Sequence, residues 1–72
     1  MEKDWNKQAS LILRSVLTRK DVKYQDLVER LEKIGIKETQ SSITNKLSRG
    51  SFSFAFFLQC MEVLDVKEIR MN

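Results

Sequence analysis

Apolar residues recur along this chain with a helical period. Trp5, Ala9, Ile12 and Val16 step by four, three and four, and Leu13 and Leu17 widen the stripe. Asp4 precedes it as a side-chain cap, so a first helix is predicted over about 4–18. Leu11 falls outside the stripe, as an exposed residue or part of a partner contact, and Trp5 is expected to pack over one end of the core. Arg19 to Lys23 forms a polar turn. A second helix follows over about 24–34, with Tyr24, Leu27, Val28, Leu31 and Ile34 on one face. Asp26 and Glu29 suit its positive end, Lys33 its negative end, and Gly35 a left-handed stop.

The third periodic stretch is short and polar. Thr39 is a good cap, Ile43 and Leu47 are four apart, and Gly50 ends a helix predicted over about 39–48. After it, Phe52, Phe54 and Phe56 alternate like a strand, but Phe54, Phe57, Leu58, Met61 and Leu64 fit a helix over a longer window. The longer match predicts a fourth helix over about 53–64, with Ser53 as its cap and Phe52 as an apolar plug before it. Four phenylalanines crowd its start, and Phe56 is the one expected to be exposed. In the tail 65–72, Val66, Ile69 and Met71 suit either a helical turn or an extended segment that pairs across a dimer.

The pattern describes one domain over 1–72, all-α, with four to five helices and no internal repeat or linker. Composition agrees, since the chain has no proline and only two glycines, too little punctuation for many short strands. A chain of 72 residues is thermodynamically marginal or helped by a partner. The longest apolar run, Ala55 to Leu58, is far too short to cross a membrane, and the start lacks the apolar core of a secretion signal. With one cysteine, Cys60, read as a small buried hydrophobe, the reducing cytoplasm is the expected location.

Charge sharpens the picture through its distribution rather than its total of +3. No acidic residue lies between Glu38 and Glu62, a gap that holds Lys46 and Arg49. Arg14, Arg19, Lys20 and Lys23 form a second basic run. If the two share a face, the molecule has one side suited to phosphates.

The chemistry-bearing side chains concentrate on the third helix. Gln40, Ser41, Thr44 and Asn45 have the reach and the donor and acceptor groups to read base edges in a major groove. Lys46 and Arg49 would hold phosphates, as would Arg14, Lys20 or Lys23, with Thr39 adding a hydroxyl at the helix start. Each of these polar residues has a plainer reading as part of a capped, solvated helix. Enzymatic chemistry is the weakest reading. The absence of histidine removes His-ligated metals and His-based triads, and there is no glycine-rich phosphate loop. No cofactor, metal or small-molecule substrate is expected.

Two helices joined by a short turn after a glycine resemble a helix-turn-helix unit. Over roughly 8–66 the pattern resembles the lambda-repressor-like (Cro/C1-type) domain. It has a leucine pair on helix two (Leu27, Leu31), two anchors on helix three (Ile43, Leu47), an arginine–glycine stop (Arg49, Gly50) and a closing helix. More narrowly, Asn45-Lys46 with Ser48-Arg49-Gly50 and then Phe52 looks like a small uncharacterised bacterial family of that class. The chain departs from the pattern in three places. Tyr24, with Gln25 beside it, stands where a phosphate-holding glutamine is usual, Val28 replaces an alanine, and the anchors are four apart rather than three. The resemblance implies a sequence-specific binder of double-stranded DNA, acting as a homodimeric transcriptional regulator of phage or mobile-element type. Tyr24 and Gln25 then join the phosphate contacts. The alternative is a protein-interaction module, antitoxin-like or a regulatory partner, that uses the aromatic helix 53–64 on the same fold.

Overall fold

The computed structural model describes residues 4–69. Within them the chain forms four helices, α1 (Trp5–Lys20), α2 (Tyr24–Lys33), α3 (Gln40–Arg49) and α4 (Phe54–Val63), and no strand. α3 packs on α1 and on α2, and α4 packs on α2. The core is Leu13, Val16 and Leu17 of α1, Leu27 and Leu31 of α2, Ile43 and Leu47 of α3, and Phe56, Cys60, Met61 and Leu64 in and after α4.

Three of the four helices begin on a side-chain cap. Asp4 accepts the Lys7 N–H at 3.1 Å and Ser53 Oγ accepts the Phe56 N–H at 2.9 Å. Lys23 heads α2 with no acceptor to offer, and Asp26 compensates by accepting the Lys23 N–H at 3.3 Å.

Three helices stop in the same way. Asp21, Gly35 and Asp65 have φ of 56°, 82° and 56°, and the residue after each turns its N–H back to a core residue's carbonyl. These bonds are Val22 to Leu17 at 2.9 Å, Ile36 to Leu31 at 3.0 Å and Val66 to Met61 at 2.9 Å. This is the Schellman arrangement, and it swings an apolar residue inward to close the end of the helix. Val22, Ile36 and Val66 all pack on the core. The segments LTRKDV, LEKIGI and MEVLDV are thus one stop signal used three times, not legible as a repeat in the sequence because aspartate replaces glycine in two of them.

Several sequence expectations change. α1 runs on to Lys20, so the polar turn is shorter, and Val22 within it is buried. The buried face of α1 is centred on Leu13 and Leu17, with Ile12 and Ala9 only half-buried. Trp5 is 63% exposed rather than seated over the core. Ile34 lies past the end of α2 and is exposed, because the left-handed turn at Gly35 delivers Ile36 inward in its place. At α4 the aromatic assignment is reversed: Phe56 is 4% exposed and Phe54 71%. Phe56 is the third residue of α4 and shares its inner face with Cys60 at i+4, whereas Phe54 and Leu58 share an outer one. From Val66 to Ile69 the chain is neither helix nor strand, and Met71 lies outside the described residues.

Candidate functional site

α3 is held from behind by two fully buried anchors, Ile43 and Leu47. Burying each side chain contributes about 1.5–3 kcal/mol, enough to fix the rotation of a ten-residue helix. Its ends are fixed by polar contacts. At the start, Thr39 Oγ1 accepts the Ser42 N–H and Ser42 Oγ accepts the Thr39 N–H, both at 3.0 Å. This reciprocal box occupies two backbone donors that would otherwise be free. At the other end, Gly50 donates its N–H to the Lys46 carbonyl at 2.9 Å with φ +70°. The Leu47 carbonyl accepts from Ser10 Oγ and, at 3.3 Å, from Arg14 Nη2. Ser10 and Arg14 are four apart on α1, so one face of α1 docks and caps the end of α3. Gly50 lies so close to α1 that a Cβ there would stand 2.0 Å from the Asn6 carbonyl oxygen.

With the anchors inward, Gln40, Ser41, Thr44 and Asn45 are all exposed and line one shallow depression of about 320 Å³. Thr44 Oγ1 donates to the Gln40 carbonyl at 2.9 Å, which leaves its two acceptor lone pairs and its methyl as its outward chemistry. All four candidate base-reading residues therefore share a single face.

The candidate phosphate-holding residues do not stay together. Lys46 turns away from that face, bonds Glu38 Oε2 at 2.6 Å and stands 4.6 Å from the centroid of the Phe56 ring. Glu38 also accepts from Ser42 Oγ at 2.6 Å. Desolvation raises the pKa of the Glu38 carboxyl, but the hydrogen bonds from Lys46 and Ser42 and the Lys46 charge outweigh it, and the net shift is downward. The acid-free interval that begins after Glu38 thus has its first lysine paired with the acid at its border. Burial, with the Glu38 charge adding to it, pushes the Cys60 thiol up to about 12, an unreactive state.

Arg49 is exposed and, with Lys7 and Arg14, lines a depression of about 310 Å³ between α1 and the end of α3. Arg14 lies within α1, and its guanidinium is partly committed to the Leu47 carbonyl. Arg19 lines a different depression, beside Ile12 and Ile69. The second basic run is thus split, and the meeting point of the two basic stretches is Arg14 beside Arg49. Lys20 and Lys23 are exposed on either side of the α1–α2 turn. Tyr24 is half-buried against the core, and Gln25 is exposed with Nε2 3.4 Å from Glu29. Thr39 is exposed, but its hydroxyl oxygen is engaged in capping α3.

Residues 5–69 match a family model described as a domain of unknown function, DUF6471. The chain belongs to that family. No curated protein and no solved structure matches it. In this DUF6471 domain the residues that sequence reasoning missed are Ser10, Glu38 and Asn6. Each acts on α3 from a neighbouring segment, through a backbone carbonyl or a side chain that carries no periodic signal.

Proposed function

We propose that this DUF6471 chain is a sequence-specific binder of double-stranded DNA on a lambda-repressor-like helix-turn-helix fold. In this reading α2 and α3 form the motif and α3 enters the major groove. The supporting observation is the exposed face shared by Gln40, Ser41, Thr44 and Asn45 on a helix pinned from behind and capped at both ends. Glutamine and asparagine can each pair in a bidentate way with adenine, and the threonine methyl can meet a thymine methyl. Arg49, with Lys20 at the end of α1 and Lys23 and Gln25 at the start of α2, supplies phosphate contacts, while Tyr24 and Thr39 contribute through the groups their packing and capping leave outward. Lys46 serves chiefly to neutralise Glu38, whose carboxylate would otherwise repel phosphates at the end of α3 that approaches DNA.

The protein acts in the cytoplasm as a homodimeric transcriptional regulator. No described helix is long and apolar enough to cross a membrane. Selection from a random duplex library, read at two salt concentrations, tests the proposal. A palindromic consensus with half-sites about 34 Å apart is expected. Asn45→Ala and Gln40→Ala should each relax preference at one position per half-site by about 1–3 kcal/mol. No enrichment at either salt concentration defeats the proposal.

A second reading, protein binding through α4, draws on the exposed Phe54 and Leu58. A stable heterologous complex that Phe54→Ala weakens and Asn45→Ala leaves intact would favour it.

A further inference from the structure

α1 carries more apolar surface than the core takes up. Beside the buried Leu13 and Leu17, Ala9 and Ile12 of α1 meet Phe52, Phe54 and Phe57 and the tail residue Ile69 around an apolar groove of about 400 Å³. The aromatic wall of the groove is ordered. Phe54 stacks on Phe57 at 6.2 Å between centroids, and Phe57 on Phe52 at 6.5 Å. A second depression, of about 430 Å³, shares Ile12 and Ile69 and extends the surface to Leu11. Helical spacing adds Trp5, one turn before Ala9, and Leu58, one turn after Phe54.

We propose that this α1–α4 face is the interface between two copies of the chain, paired about a two-fold axis. The proposal makes specific the dimer of the functional reading but stands on surface chemistry alone. Two arguments select a second copy as the occupant. The first is area. Trp5, Leu11, Phe54, Leu58 and Ile69 each leave between 43% and 71% of their surface exposed. Together they offer on the order of 500 Å² of apolar surface, given that one aromatic side chain carries about 150–250 Å². A standard interface buries about 800 Å² per partner, a little over half of it apolar, so the patch has the size that one protomer of a stable dimer needs.

The second argument is charge. A two-fold interface lays the same patch against itself, so any charge near the axis meets its own kind. From Phe54 to Met61 there is no charged residue, and among the described residues Arg19 is the sole charged one lining either depression. On a chain of net charge +3, a charge-poor apolar face is the one that can meet its copy without Coulomb cost.

Sedimentation equilibrium on the full chain from about 1 to about 100 µM, a range that brackets a micromolar Kd, tests this. The expected mass is twice that of the monomer at the upper end. Phe54→Asp and Leu11→Asp should each weaken pairing roughly tenfold or more, as loss of a central apolar contact does. Both positions are exposed, so circular dichroism should report an intact helical fold for each. Ile34→Asp, an equally exposed apolar position at the end of α2, should leave the mass unchanged. A wild-type chain that stays monomeric overturns the proposal. So does a dimer that survives both Phe54→Asp and Leu11→Asp, or one that Ile34→Asp dissociates equally. A dimer that behaves as expected but selects no DNA sinks the functional reading and leaves this one standing.

Discussion

Lys46 Nζ lies 2.6 Å from Glu38 Oε2, and the pair joins the segment before α3 to the last turn of the helix itself. The Lys46 side chain is one-third exposed and that of Glu38 11%, so solvent weakens the bond only in part. Glu38 also meets the positive end of the α3 dipole and accepts the Ser42 hydroxyl, so the carboxylate is favoured from three directions.

Acidification should release this contribution. The folded pKa of Glu38 is depressed below its ordinary value of 4.5, so the unfolded chain takes up the proton first as pH falls. The stabilisation is therefore fully present above the ordinary value and is lost as pH falls through the depressed folded value. Thermal melts of wild type and Glu38→Gln between about pH 2 and 7 should show the wild-type advantage at neutral pH shrinking on acidification. A constant difference across that range would mean the pair contributes nothing through its charge.

The same pair makes a prediction about DNA. Because Lys46 is held by Glu38 and not by a phosphate, Lys46→Ala should leave the number of phosphate contacts, and so the salt slope, nearly unchanged, while the unpaired Glu38 carboxylate weakens binding at every salt concentration. Glu38→Gln should free the lysine and remove a repelling charge, steepening the slope of log K against log salt by about 0.9. Fluorescence anisotropy titrations at several salt concentrations measure both slopes. A slope that Lys46→Ala flattens by a full unit would return Lys46 to direct phosphate contact.

The two glycines should behave differently. At Gly35, φ is +82° but a Cβ would meet nothing within 4 Å. Gly35→Ala should therefore cost only the left-handed backbone term, about 1–2 kcal/mol. At Gly50 the same term adds to a collision with the Asn6 backbone at 2.0 Å, which only a shift of α1 or α3 relieves. Gly50→Ala should cost about 2–5 kcal/mol, the sum of strain and overpacking. Urea denaturation of both variants decides this, and equal losses would mean that α1 yields without cost.

At Asp21 and Asp65, with φ of 56° at both, the side chain is carried in a conformation that glycine adopts freely. Asp21→Gly and Asp65→Gly should each raise stability by up to about 1 kcal/mol, the left-handed cost less the added unfolded-state entropy. The effects should add, because the two turns close different helices. Calorimetric melting of the single and double variants measures this. Destabilisation by both substitutions would mean the aspartates hold their turns through their side chains.

Period and punctuation made much of the architecture legible in the sequence. The anchors Ile43 and Leu47, the cap at Thr39 and the stop at Gly50 follow from helix geometry and local hydrogen bonding, which depend on residues within a turn or two of each other. So does the common face of Gln40, Ser41, Thr44 and Asn45, because residues at such spacings share a side of a helix wherever that helix is docked. Which apolar face of α1 or α4 goes inward is another matter. Both helices have more apolar positions than one core can bury, and the choice of Leu13 over Ile12 and of Phe56 over Phe54 was made by where α3 and α2 press against them. The electrostatic side of α3 was likewise decided by tertiary structure. Charge adds up along a sequence but acts through space, and only the fold brought Glu38 to Lys46 and Arg14 to the end of α3.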